Sequence, residues 1–139
     1  LFVGRVRQVL VVDPSRKMLE HCRKHSGLSC VVGYGESLPL KNGTIDKIIL
    51  VDAFHHIPDQ LKAIKEIKRV LKKNGNVIIA EYNPEVIGGK LIILLEKLLC
   101  LGSTFHAPLS LGKLFTDQGF SVQIVNERGR DYFLVAKNI

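Results

Sequence analysis

The chain has 139 residues, 46% hydrophobic and 24% charged, with a net charge of +7. That length and balance fit a single globular domain, residues 1–139, and exclude a disordered chain. Cys22, Cys30 and Cys100 are scattered and form no C-x-x-C pair, which argues against a disulfide framework or a zinc site and for a reducing, cytoplasmic setting.

Val6 to Asp13 reads as a strand, because its mostly β-branched apolar run suits burial on both faces of a parallel sheet. Pro14 and Ser15 then open a helix whose buried stripe is Met18, Leu19 and Cys22, closed at Gly27. Ser29 to Val32 and Ile45 to Val51 read as further strands. Asp59 to Lys73 is the clearest helix, with Leu61, Ile64, Ile67, Val70 and Leu71 at helical spacing. Asn74-Gly75 stops it and Asn76 to Tyr82 follows as a strand. Val86 to Leu101 reads as an apolar helix and Ser110 to Gln118 as a short one. Ser121 to Asn126 and Asp131 to Lys137 form a hairpin around Arg128-Gly129-Arg130. Strands and helices that alternate imply a parallel sheet with helices on its faces.

No signal peptide is evident. The longest apolar stretch, Leu91 to Leu101, is broken by Glu96 and Lys97 and falls short of the roughly 20 residues of a membrane span. Lys62, Lys65, Lys68, Arg69, Lys72 and Lys73 make one helix face basic. Such a face is either a solvated surface or a contact for nucleic acid, anionic lipid or an acidic partner, with no aromatic-interleaved basic motif to support nucleic acid.

Asp13 stands at the carboxyl end of a parallel strand, where open α/β sheets bind ligands. Its carboxylate can accept from two ribose hydroxyls, or it can satisfy the free N–H groups of the helix that begins at Pro14. Gly33-Tyr34-Gly35-Glu36-Ser37-Leu38-Pro39 is either an ordinary turn or a backbone that lets a flat ring approach closely. His55 and His56 follow the strand that ends at Val51, and histidine is suited to general base work. Adjacent residues at a strand end point different ways, so one at most is expected in a cleft. No third ligand stands at helpful spacing, so no metal is expected.

Val11-Val12-Asp13-Pro14-Ser15, the Gly33 to Pro39 segment and Val51-Asp52-Ala53-Phe54-His55-His56-Ile57-Pro58 together resemble the cofactor half of class I S-adenosylmethionine-dependent methyltransferases. The nearest look is the type 11 group, which includes ubiquinone and menaquinone biosynthesis methyltransferases. Leu71 to Glu81 resembles that family's L-K-P-G-G-x-L-x-x-x-E turn and fifth strand, with Lys73 and Asn74 where Pro and Gly are more usual.

The resemblance implies an α/β, Rossmann-like sheet, mostly parallel, with a C-terminal antiparallel hairpin and strand order third, second, first, fourth, fifth, seventh, sixth. It implies S-adenosylmethionine as cofactor. Asp13 would hold the ribose, the Gly35 N–H the adenine ring, and the Val51 backbone the methionine part. Tyr34 stands where the family places an adenine-binding Asp. Asp52 to His56 would face the methyl-transfer site, with His55 and His56 as candidate catalytic residues.

The family's first strand, glycine loop and first helix are not found before Asp13, and Leu1 to Gly4 would be no more than that helix's tail. The expectation is therefore an N-terminally truncated sheet. Its strands at Asp13 and Val51 lack a shared neighbour, which implies weak cofactor binding and a homo-oligomer. The helix Val86 to Leu101 and a pocket around Phe105, His106 and Pro108 suit a small, apolar or amphipathic acceptor such as a quinone precursor. The alternative is a non-catalytic methyltransferase-like fragment that acts as an oligomerisation or partner-binding module.

Overall fold

The computed structural model describes residues 6–99 and 102–139. The Leu1 to Gly4 segment and the end of the apolar helix at Cys100 and Leu101 lie outside the described residues. Among the described residues, six strands and four helices occur in the order β1 (Val9–Asp13), α1 (Arg16–Cys22), β2 (Leu28–Val32), β3 (Ile45–Val51), α2 (Gln60–Val70), β4 (Leu71–Tyr82), α3 (Ile87–Leu98), α4 (Pro108–Asp117), β5 (Phe120–Val125) and β6 (Asp131–Asn138). A 3-10 turn covers Phe54–His56.

Local chemistry sets the helix starts. Ser15 caps α1, its hydroxyl accepting from the Met18 N–H at 3.3 Å. Asp59 caps α2 by accepting from the Lys62 N–H at 3.0 Å. Pro108 stands in the first turn of α4, where its missing N–H costs nothing. The helix α2 ends at Val70, three residues before the expected Lys73. Leu71 turns extended there, is buried, and pairs with Ile45. Asn74, at φ 66°, absorbs the left-handed turn within β4.

The expected single sheet is divided in two. β1 pairs in parallel with β2, and β3, β4, β6 and β5 form a second sheet in that order. β3 and β4 are parallel, whereas β6 runs antiparallel to both β4 and β5. The order β2–β1 followed by β3–β4–β6–β5 is the one the resemblance implies for its second to seventh strands. No strand joins β1 to β3 among the described residues, so each presents an unpaired edge.

The core lies on the four-stranded sheet. Phe54, Ile64, Ile67, Leu71, Val77, Ile79, Leu111, Phe115, Phe120, Tyr132, Leu134 and Ala136 bury together between that sheet and α2 and α4. β3 is not buried on both faces as its apolar run suggested. Ile49 and Val51 are 51% and 62% exposed, because side chains alternate along a strand and only one face of β3 meets the core.

The basic face of α2 is partly consumed inside the fold. Lys68 donates to the Gln118 carbonyl at 2.6 Å and Arg69 is engaged with Glu66, Leu38 and Leu40, whereas Lys72 stands on β4 and makes an exposed pair with Asp46 at 2.8 Å. Among the described residues, no helix is long and apolar enough to cross a membrane.

Candidate functional site

The carboxyl ends of β1, β2 and β3 carry Asp13, the Gly33–Gly35 turn and Val51. The two sheets are held in register there by side chains rather than by a shared strand. The Leu38 N–H donates to Glu66 Oε2 at 2.9 Å. Arg69 donates to the Leu38 carbonyl at 3.0 Å and the Leu40 carbonyl at 2.8 Å, and chelates Glu66 with two bonds of 2.7 Å. The loop after β2 is thereby fastened to α2.

The same loop packs on the loop after β3. A methyl group at Gly35 would lie 2.7 Å from Ile57 Cδ1, and one at Gly33 would lie 2.7 Å from the Pro39 ring. Close approach rather than dihedral angle thus favours glycine at both positions, against the rigid Pro39 ring at Gly33 and against the end of the Ile57 side chain at Gly35. Tyr34 between them is 60% exposed and Val51 is 62% exposed, so this face is open at the strand ends.

Asp13 has a structural task already. Its Oδ1 accepts from the Ser15 N–H at 2.7 Å, the turn that starts α1. Oδ2 has no partner among the described residues. Asp52, next to Val51, adopts φ 47°, a left-handed conformation uncommon for a residue with a Cβ and often found at working sites. Burial, and then the charge of Glu81, raise its carboxyl above the usual range.

His55 and His56 do not diverge as a strand end would make them. They lie in the 3-10 turn, and their rings converge with centroids 4.1 Å apart. His55 is buried and His56 exposed. Glu81 organises the turn. Its Oε1 accepts from the Phe54 N–H at 2.9 Å and the His55 N–H at 3.4 Å, and its Oε2 meets His55 Nδ1 in a short contact. Burial opposes charge on His55, but the hydrogen bond and charge of Glu81, with the charges of Glu96 and Asp52, hold its pKa above the ordinary histidine value. Phe105 stacks on the His55 ring at 4.2 Å.

Glu81 and Glu96 are the residues that sequence reasoning missed. Glu81 sits at the carboxyl end of an apolar strand, the same signal that singled out Asp13. Glu96 gave no sequence signal, since it reaches the histidines only through the packing of α3. Phe105, His106 and Pro108 do not frame an open pocket. His106 bonds Gln60 Oε1 at 2.6 Å, Pro108 is buried, and the space that His106 shares with His55 and Tyr132 has no room for a water molecule. Open space lies instead beside α3, a groove of about 460 Å³ lined by Pro84, Lys90, Ile93 and Leu94.

Residues 1–79 match the family described as "Methyltransferase domain". The chain belongs to this family. Its fold is that of class I S-adenosylmethionine-dependent methyltransferases. A methyltransferase of Thermotoga maritima, described as a possible histamine N-methyltransferase, superposes with a TM-score of 0.84 at 24% identity over 94% of this chain and 73% of that one. A putative methyltransferase of Haloferax volcanii, solved with the Trm112 activator, gives 0.84 at 18% identity over 94% and 72%. In sequence, the demethylmenaquinone methyltransferase of Bacillus licheniformis is 27% identical over 134 residues, 93% of this chain and 55% of that protein. The ubiquinone/menaquinone biosynthesis C-methyltransferase of Rubrivivax gelatinosus is 33% identical over 85 residues, 60% of this chain and 34% of that protein. The methyltransferase-domain chain thus spans between a third and about half of these curated relatives.

Proposed function

We propose that this methyltransferase domain holds S-adenosylmethionine across the carboxyl ends of β1, β2 and β3 and passes its methyl group to a small apolar or amphipathic acceptor. The observation that carries this reading is the convergence at Gly35. The loop after β2 is clasped between Ile57 and the α2 latch, and Asp13, Gly35 and Val51 each stand at or just beyond the carboxyl end of a strand. The residues fit the group. Asp13 Oδ2 is available for the ribose, the Gly35 N–H for the adenine ring, and Val51 offers backbone groups to the methionine part. Tyr34, exposed where the family has an acid, would offer the adenine a ring and a hydroxyl instead.

The sulfonium supplies an activated methyl, so alignment of the acceptor provides much of the rate. His55 is spoken for by Glu81, and it acts here as a positioning residue for the loop that carries Asp52 and His56. Of the two histidines, His56 is the exposed one, and it is the candidate to touch an acceptor. The acceptor's apolar character is supported by Ile87, Leu91, Leu94 and Leu98, all more than half exposed on α3 beside the open groove. It is supported too by the likeness to a demethylmenaquinone methyltransferase.

Calorimetric titration with S-adenosylhomocysteine tests the reading. Saturable one-to-one binding that Asp13→Ala weakens supports it. Absence of binding favours the alternative, a methyltransferase-like module that works through association. The unpaired edges of β1 and β3 support that second reading, since an open parallel edge is a template for another chain.

A further inference from the structure

We propose that His55, His56 and Glu96 form a binding site for a zinc-type divalent cation. The inference stands on side-chain geometry and is independent of methyl transfer.

Three donors converge on one point. His55 Nε2 lies 3.1 Å from His56 Nε2 and 3.5 Å from Glu96 Oε1, and the three donor atoms all fall within 4.8 Å of one another. Metal–donor bonds of about 2.0–2.2 Å at tetrahedral angles separate neighbouring donors by about 3.3–3.5 Å. The His55–His56 and His55–Glu96 spacings of 3.1 and 3.5 Å lie close to that value, and the third pair falls within 4.8 Å.

The far side of each ring is also prepared. His55 Nδ1 is held by the Glu81 carboxylate, and His56 Nδ1 lies 3.0 Å from the Ser103 hydroxyl. A ligating histidine characteristically has its second nitrogen fixed in this way, which sets the tautomer and aims the free lone pair. In the tautomers in which both Nδ1 atoms donate, the two Nε2 lone pairs face each other 3.1 Å apart, an arrangement that a cation between them satisfies. Phe105, stacked on His55, walls the site on one side.

Glu96 adds a second, independent sign. Its Oε2 is buried and has no hydrogen-bond partner among the described residues. Leaving a carboxylate oxygen so placed is costly unless something positive satisfies it. The position of Glu96 is enforced. Gly89, seven residues earlier and so about two turns away on the same face of α3, lies so close to the Asn83 backbone that a Cβ would fall 1.7 Å from the Asn83 carbonyl oxygen. Asn83 follows Glu81 at the end of β4 by two residues. Thus α3 is seated against the strand end that also organises the histidine turn.

Two imidazoles and one carboxylate form a borderline donor set, suited to zinc, cobalt or nickel rather than magnesium or calcium. Three protein ligands leave the fourth tetrahedral position open to water or an acceptor oxygen.

The experiment titrates the 139-residue chain with Zn²⁺ against a chromophoric chelator, and separately with Co²⁺ while following visible d–d absorption. One Zn²⁺ per chain with a Kd of about 10 µM or tighter, and a four-coordinate Co²⁺ spectrum, are expected. His56→Ala and Glu96→Gln should each weaken Zn²⁺ by about tenfold or more, and Ser103→Ala by a smaller factor. His56 is exposed, so its variant should keep the far-UV circular dichroism of the parent. Thiols are common to every variant and cancel from the comparison. Binding weaker than about 100 µM, or affinity that changes less than tenfold in both His56→Ala and Glu96→Gln, overturns the site and leaves the histidines as a proton-bridged pair.

Discussion

Glu66 accepts the backbone N–H of Leu38 at 2.9 Å, and through that bond the two-stranded sheet is tied to the core. The bidentate ion pair with Arg69 lowers the Glu66 pKa, burial opposes it, and the Leu38 N–H adds to the lowering. A carboxylate whose folded pKa is depressed stabilises the fold above its unfolded value of about 4.3, and that contribution is lost as pH falls through the folded value. Urea midpoints should therefore decline as pH is lowered below about 4. Arg69→Ala should lower the midpoint at pH 7 and flatten this acid limb, because the group that depresses Glu66 is gone. An unchanged acid limb in Arg69→Ala would contradict the latch.

Gly35→Ala should destabilise the chain by about 1–3 kcal/mol, the scale of overpacking, and weaken S-adenosylhomocysteine. The new methyl meets Ile57 Cδ1 at 2.7 Å. Ile57→Val removes that atom, so the double variant should recover most of the lost stability in a thermal-denaturation cycle. No recovery would mean that the backbone, not Ile57, resists the change.

Asp13→Ala should weaken S-adenosylhomocysteine by about 1–3 kcal/mol, the value of a lost charge-assisted hydrogen bond. Asp13→Asn keeps an oxygen for the Ser15 N–H and so separates the turn from the ligand. Calorimetry in which both variants bind like the parent would return Asp13 to the turn alone.

Tyr132→Phe should cost about 1–1.5 kcal/mol in urea unfolding. The Tyr132 hydroxyl donates to the His106 carbonyl at 3.0 Å within the sealed space beside His55. A neutral substitution would show that the His106 carbonyl finds another donor.

Sedimentation equilibrium should find a dimer or larger assembly. The edges of β1 and β3 are unpaired among the described residues, and Ile49 and Val51 add exposed apolar surface on β3. A monomer across the micromolar range would remove this reading and the association module with it.

Much of the fold was legible in the sequence. The β-branched runs that end at Asp13 and Val51, the cap at Ser15, the start of the long helix at Asp59 and its 3.6-residue spacing are local signals, and local geometry obeys them, although β1 begins at Val9 rather than Val6. The strand-end positions of Asp13, Gly35 and Val51 were legible for the same reason, since each follows directly from where a strand stops. Only the tertiary structure decided the rest. Whether β1 and β3 share a sheet depends on a neighbour distant in sequence. The convergence of His55 with His56 depends on a 3-10 turn that Glu81 holds from 26 residues away. The arrival of Glu96 depends on Gly89 letting α3 rest on Asn83. Such contacts arise from packing between distant segments, and no local periodicity encodes them.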